Sequence, residues 1–134
     1  MANVQLGYGH GDVVGVPFDY YNSVPTGSTI TMQTARLVVD NPATIAALTV
    51  NLPLNPVDGA EAEIVSTHTI TALTVAANTG DSFVNGVLAA VGNLTPVATT
   101  GGGYTARVKY WYTLNGYQPA SGAAVNPRSW IRVA

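Results

Sequence analysis

The sequence predicts an all-β fold: an antiparallel β-sandwich or compact β-barrel-like domain with an extended N-terminal arm. Short runs rich in Val, Thr and Ile recur from residue 28 onward, and turn-forming residues separate them. No window shows a convincing helical period of 3.6 residues. The chain's 134 residues suit one domain. We therefore divide it into an arm, residues 1–27, and a single β-rich domain, residues 28–134.

The arm is rich in Gly, Tyr, Asn and Pro and contains one predicted strand, residues 12–18. A turn signal, Val24-Pro25-Thr26-Gly27, closes it. In the domain, turn signals such as Asp-Asn-Pro, Asn-Thr-Gly-Asp and Asn-Gly separate the strand-like runs. The predicted strands of the domain are residues 29–32, 36–39, 45–52, 61–67, 70–76, 82–84, 104–113 and 129–133.

The run "YTARVKYWY" alternates clearly. Ala106, Val108, Tyr110 and Tyr112 share one face of the predicted strand, and Arg107, Lys109 and Trp111 share the other. Apolar residues dominate the first face. We expect it to lie in the core.

A seven-residue phrase occurs twice, as "TIAALTV" from Thr44 and as "TITALTV" from Thr69. Neither face of the second copy is strongly polar, and a strand that is apolar on both sides is usually covered on both sides. The repeat predicts two equivalent strands of a sandwich or short stack whose outer face meets something else. Because it offers only Thr hydroxyls for chemistry, it indicates scaffold rather than a catalytic site.

Charge is the most informative bulk property. Only 9% of the residues are Asp, Glu, Lys or Arg, and 47% are hydrophobic, whereas about 25% of an ordinary soluble domain is charged. Such a chain is easier to understand if other subunits cover much of its exterior. The alternative is a monomer whose surface is made of Thr, Ser, Asn and Gln. There is no cysteine, which excludes disulfides and thiolate chemistry.

The motifs predict neither an enzyme nor a metal or cofactor site. His10 lies in a Gly-rich stretch beside Asp12, but neither the strand nor the helix of a phosphate-binding loop flanks it. His68 is read as an ordinary polar strand residue. Glu61 and Glu63 share a strand face that suits calcium, although a hairpin turn at Asp58-Gly59 followed by a solvent-facing strand edge is the favoured interpretation.

Five basic residues and a net charge of −2 predict no nucleic-acid partner. The first residues resemble no signal peptide and no apolar run is long enough to span a bilayer, so we also expect no membrane association. The aromatic residues of the last third fit either a core and subunit interface or a sugar-binding platform of Tyr110, Trp111, Tyr112 and Trp130.

Residues 55–134 contain an ordered series of turns and strands: the turn Pro56-x-Asp58-Gly59, the strand from Ile70 to Val75, the turn Asn78-x-Gly80, the glycine turn "TTGGGY", the strand "ARVKYWY" and the terminal "SWIRV". In this order they resemble a module of tailed-bacteriophage structural proteins found in head decoration proteins and fibres. Two features depart from the family's pattern. Ile131 replaces an aromatic residue, and "TLNGYQPASGAAVNPR" is a longer insertion.

The resemblance implies a β-rich, commonly trimeric virion protein made in the bacterial cytoplasm. The leading hypothesis is a head decoration or cement protein that binds the major capsid protein and copies of itself. A tail, collar or short-fibre component and a carbohydrate-binding module are the alternatives. The predicted contact residues are Tyr8, His10, Phe18, Tyr20, Tyr21, Trp111, Tyr117 and Trp130.

Overall fold

The computed structural model describes residues 2–5, 17–83, 90–98, 104–117 and 127–134. These residues form strands and no helix, so the all-β prediction is confirmed. The strands are β1 (Ala2–Gln5), β2 (Phe18–Tyr21), β3 (Ser28–Thr31), β4 (Arg36–Val39), β5 (Ile45–Asn51), β6 (Glu61–Ser66), β7 (Ile70–Ala76), β8 (Ser82–Phe83), β9 (Ala90–Leu94), β10 (Val97–Ala98), β11 (Tyr104–Thr113) and β12 (Ser129–Arg132).

The strands form two sheets. The large sheet has eight strands in the order β1-β2-β4-β6-β11-β12-β8, with β10 paired to β11, and the small sheet has four in the order β3-β5-β7-β9. From β2 to β7 the chain alternates between them, so the even-numbered strands enter the large sheet and the odd-numbered strands enter the small one. Within this stretch, neighbouring strands of one sheet are therefore separated in the chain by one strand of the other sheet.

This alternation corrects the prediction of antiparallel sheets. The pairs β2–β4, β4–β6, β3–β5 and β5–β7 are parallel, whereas β6–β11, β11–β12 and β7–β9 are antiparallel. Parallel neighbours need a long crossover, usually a helix. Here a strand of the opposite sheet serves as the crossover and returns the chain in its original direction.

The repeated phrase forms neighbouring strands of the small sheet. β5 lies parallel to β7 with Ile45 beside Ile70, Leu48 beside Leu73 and Val50 beside Val75. The two strands have the same sequence of buried, intermediate and exposed residues. The prediction of two equivalent strands is confirmed. β5 and β7 are parallel neighbours in one sheet, and the chain passes through β6 of the other sheet between them.

Inward-facing residues of both sheets belong to one hydrophobic core. The small sheet contributes Leu48 and Val75, for example, and the large sheet contributes Ile64 and Val108. Aromatic residues of β11 and β12 also belong to the core. The ring centroids of Tyr112 and Trp130 lie 4.9 Å apart. Burial of apolar area at about 25 cal/mol per Å² is the main stabilising contribution of such a core.

The region predicted as an arm contributes to the sheets. β2 pairs with β4 through Asp19, Tyr20 and Tyr21, and β1 pairs with β2. Val24 is buried, and its amide N donates to Asn41 Oδ1 at 2.8 Å. Of the strand predicted at residues 12–18, residues 12–16 lie outside the described residues, and the observed strand begins at Phe18.

Candidate functional site

The outer face of the large sheet carries most of the chain's paired charge. Register places Arg36 on β4 beside Glu63 on β6 and Lys109 on β11 opposite Glu63. Glu63 accepts from Arg36 Nε at 2.9 Å and from Arg107 Nη1 at 3.3 Å, while Lys109 Nζ lies 2.8 Å from Glu61 Oε1. We call these five residues the charge ladder.

The two glutamates of the ladder each have a basic partner. The described residues contain no group of three or more side chains of His, Asp or Glu that could hold a metal ion. Lys109 lowers the pKa of Glu61 by hydrogen bonding and by its charge. The favoured interpretation needs one correction: β6 lies between β4 and β11, so the glutamates occupy the solvent face of an interior strand rather than an edge.

Beside the ladder, an aromatic cleft opens at the end of β11. Its walls are Gly59, Glu61, Trp111, Tyr112 and Tyr117, and its volume is about 250 Å³. The Trp111 side chain is 47% exposed, and its Nε1 donates to Glu61 Oε1 at 3.1 Å. Burial, followed by the Asp58 charge, raises the pKa of Tyr117. An indole with one exposed side, a phenol and a carboxylate thus meet in one open depression.

The loop between β5 and β6 forms the rim of this cleft. Asp58 Oδ1 accepts from Thr113 Oγ1 at 3.0 Å and from Leu114 N at 2.9 Å, and the Gly59 amide donates to Tyr112 O at 3.0 Å. Gly59 has φ +83°, a conformation that glycine adopts without strain. A turn is present at Asp58-Gly59, but β5 and β6 belong to different sheets, so the prediction of a hairpin there is wrong. The bonds of this turn fix the rim to β11.

A second polar cluster lies where parallel strands of the large sheet end. Asp40 follows β4, and its carboxylate accepts from Tyr20 Oη at 2.5 Å and from Thr67 Oγ1 at 2.8 Å. Both hydrogen bonds lower the pKa of Asp40, and the bond from Tyr20 has the larger effect. The same bond raises the pKa of Tyr20. Thr67 Oγ1 also lies 3.1 Å from Nδ1 of the exposed His68. The carboxyl-end position of parallel strands explains the clustering, which sequence analysis missed because it assumed antiparallel sheets.

The small sheet has the opposite surface chemistry. None of its four strands contains Asp, Glu, Lys or Arg. On its outer face Thr29 lies beside Thr49, and Thr49 beside Thr74. Ala47 and Ala72 are both exposed and lie next to each other, two residues before Thr49 and Thr74 on the same strands. We call these five residues the uncharged face.

The structure distributes the predicted contact residues unevenly. Trp111 is exposed, and Phe18, Tyr20, Tyr21 and Tyr117 are partly buried; Tyr21 packs against the core. Tyr8 and His10 lie outside the described residues.

The assignment of Trp130 to a partner surface is wrong. The residue is 0% exposed and lies opposite Tyr112 across the β11–β12 pair. The proposed sugar platform fails for the same reason, because Tyr110 and Tyr112 are also buried. Only Trp111 faces outward, as strand alternation predicted.

Comparison with protein-family models, with curated proteins and with solved structures found no match. Within the described part of the chain, no helix is long and apolar enough to cross a membrane.

Proposed function

We propose that this chain is a structural protein of the tailed-bacteriophage virion, a decoration protein that binds the major capsid protein on the head surface as a homotrimer. The resemblance of residues 55–134 to virion modules suggests the class of protein. The uncharged face is the observation that carries the proposal further. It is broad, made of small side chains, and belongs to a sheet whose strands contain no ionisable side chain.

Such a face suits contact between copies of the chain. Charged residues are depleted at the centres of protein interfaces, because burying an unpaired charge is costly. When the uncharged faces of different copies meet, they bring no like charges together that would repel each other. Small side chains such as Ala47 and Ala72 allow the two backbones to approach closely. We therefore assign the uncharged face to subunit contacts within the trimer.

The charge ladder on the large sheet suits a different position. Its glutamates are paired with Arg and Lys on the same face, and exposed ion pairs of this kind remain well solvated. Together the two faces give the chain one charged and one uncharged side. We infer that the sheets face each other as a sandwich, with the ladder directed away from the trimer centre.

Attachment to the head would stabilise the particle by mass action, since a protein that binds only the assembled lattice favours that state. The contact with capsid subunits needs an area above about 1,000 Å² to be specific. Residues 1–27 are the segment we assign to it, because β1 is an edge strand of the large sheet. An edge strand has unpaired backbone groups available to another chain.

The experiment is a binding assay with purified protein and phage heads that lack it. We expect co-sedimentation that saturates at a fixed number of copies per head, and greater resistance of decorated heads to heat. A variant lacking residues 1–27 is compared, with its fold checked by circular dichroism. Loss of head binding in a folded variant supports the assignment of this segment, whereas failure of the complete protein to bind heads contradicts the proposed function.

A further inference from the structure

The aromatic cleft has features that neither subunit contact nor core packing requires. Trp111 is a large aromatic residue that is 47% exposed on the outer face of the large sheet, opposite to the uncharged face. Its indole is held by the bond from Nε1 to Glu61, and β11 pairs on both sides, with β6 and with β12. The ring is thus presented to solvent in a fixed orientation.

We propose that this cleft is a binding site for a neutral pyranose unit of a glycan, with Trp111 as the stacking platform. One side of a pyranose ring carries C–H groups that pack on an aromatic face, while its hydroxyls need donors and acceptors nearby. The cleft offers both. The indole supplies the apolar surface, and the Glu61 carboxylate and Lys109 ammonium supply an acceptor and a donor beside it.

The size of the cleft limits the ligand to about one ring. Its volume of about 250 Å³ lies just under the roughly 300–1,000 Å³ of clefts that enclose drug-sized ligands. The cleft is open, so neighbouring sugar units of a chain would extend into solvent. Tyr117 forms another wall, and its pKa is raised, so its phenol stays neutral and can both donate and accept.

The charge of the cleft favours a neutral ligand. Glu61 and Lys109 offset each other at 2.8 Å, and the remaining nearby charge, that of Asp58, is negative and acts on Tyr117. A phosphate or carboxylate would meet net negative charge there. This face also lacks the unpaired basic residues that a nucleic acid would need for counterion release. Its basic residues Arg36, Arg107 and Lys109 are already paired with glutamates.

The cleft is also formed before any ligand arrives. The Asp58 bonds to Thr113 and Leu114 and the Gly59 bond to Tyr112 fix its rim to β11. A preformed site avoids the entropy cost of ordering loops on binding. At Gly59, an added Cβ would meet no atom within 4 Å, so the rim is not crowded at this position.

The test is an NMR titration of the complete, ¹⁵N-labelled protein with methyl glycosides of glucose, galactose, N-acetylglucosamine and rhamnose and with short oligomers of each. The chain has two tryptophans, so the indole Nε1–H region holds two signals, from exposed Trp111 and buried Trp130. We expect at least one sugar to shift the Trp111 signal saturably in the millimolar range, while the Trp130 signal stays in place.

Three variants sharpen the test. Sugar binding to the Trp111 variants, which lack the Trp111 indole signal, is followed through the backbone amide signal of Gly59 in the cleft wall. Trp111→Ala is expected to weaken sugar binding at least tenfold, and Trp111→Phe, which keeps a ring, is expected to weaken it less. Val133→Ala removes an exposed apolar side chain outside the lining of the cleft and outside the bonds that fix its rim, and we expect unchanged sugar affinity. The Trp130 signal reports whether each variant is folded.

Absence of a saturable shift with every sugar would overturn the proposal. So would a Trp111 signal that moves with protein concentration alone, because the cleft would then be a contact between copies. Head binding is measured in parallel with Trp111→Ala. We expect it to be retained, so that a failed glycan site and a failed decoration function give different results.

Discussion

Leu48 lies beside Leu73 in two parallel neighbouring strands, and the two side chains are 2% and 1% exposed. They occupy the same place in the two copies of the repeated phrase, twenty-five positions apart. The repeat therefore stacks one copy directly on the other. Each copy presents its leucine to the shared core and its alanines to the outside, which gives the small sheet a regular inner and outer surface.

Truncating one of these leucines tests the stacking. We expect Leu73→Ala to lower the free energy of unfolding by about 2–5 kcal/mol, because a buried leucine leaves a cavity when shortened. Leu54→Ala, the same substitution at a leucine that is 62% exposed, is the matched control and should change it by no more than about 0.5 kcal/mol. Urea denaturation measures both. Equal effects of the two substitutions would mean that Leu73 does not face the core.

Sequence patterns predicted strand positions better than strand neighbours. The bounds of β4, β7 and β11 agree with the prediction, because β-branched residues or clear alternation mark them. Alternation also assigned Trp111 to the outer face. Alternation shows which side chains share a face of a strand. It does not show which strand is the neighbour, or whether the two run parallel or antiparallel. For that reason the parallel pairing, and with it the meeting of Asp40, Tyr20 and Thr67, was missed.

Short strands were the other source of error. β12 has four residues, Ser129–Arg132, and Ser129 and Trp130 are both buried, so alternation could not assign Trp130 to the core. Glu61 and Glu63 show the opposite case. Their common face followed from alternation, but their partners Arg36, Arg107 and Lys109 come from two different strands, and spacing alone does not predict such contacts.

Two buried tyrosines provide a matched comparison. Tyr112 Oη donates to Asp81 Oδ1 at 2.9 Å, and Asp81 also pairs with Arg128 Nη2 at 2.9 Å. Tyr110 Oη is buried and has no hydrogen-bond partner among the residues that the structure describes. We expect Tyr112→Phe to destabilise the chain by about 1 kcal/mol. Tyr110→Phe should be neutral or stabilising, because it removes an unsatisfied polar group.

Thermal and urea unfolding of both variants measures this difference. The reverse order of stability would show that the Asp81 bond contributes nothing and that the Tyr110 hydroxyl has a partner.

The charge ladder predicts a salt-dependent effect. Glu63 lies between Arg36 and Arg107, and its side chain is 12% exposed. We expect Glu63→Gln to lower the free energy of unfolding by about 1 kcal/mol at low salt, near the upper end for surface pairs. The effect should shrink in 1 M salt, where the Debye length is about 3 Å. A loss independent of salt would point to packing instead.

Acid unfolding tests the Asp40 cluster. Hydrogen bonds from Tyr20 and Thr67 lower the pKa of Asp40 in the folded chain. A carboxyl with a lowered folded-state pKa stabilises the fold above its unfolded pKa of about 3.9, and this contribution is lost as the pH falls through the folded value. We therefore expect Asp40→Asn to show a weaker fall of unfolding free energy between about pH 5 and pH 2.

Tyr20→Phe removes the main cause of the shift while keeping the carboxyl. Its pH profile should lie between those of the wild-type chain and Asp40→Asn. Identical profiles for all three proteins would exclude Asp40 as a contributor to acid sensitivity.

The most direct test of the proposed assembly is the mass of the protein in solution when a charge is placed on the uncharged face. Analytical ultracentrifugation at micromolar concentration would compare the wild-type chain, Thr74→Lys, and a control, Thr79→Lys, at an exposed turn position. We predict a trimer for the wild type and the control, and a single chain for Thr74→Lys with its circular dichroism unchanged. A wild-type protein that stays a single chain, or a trimer that tolerates Thr74→Lys, would contradict the account.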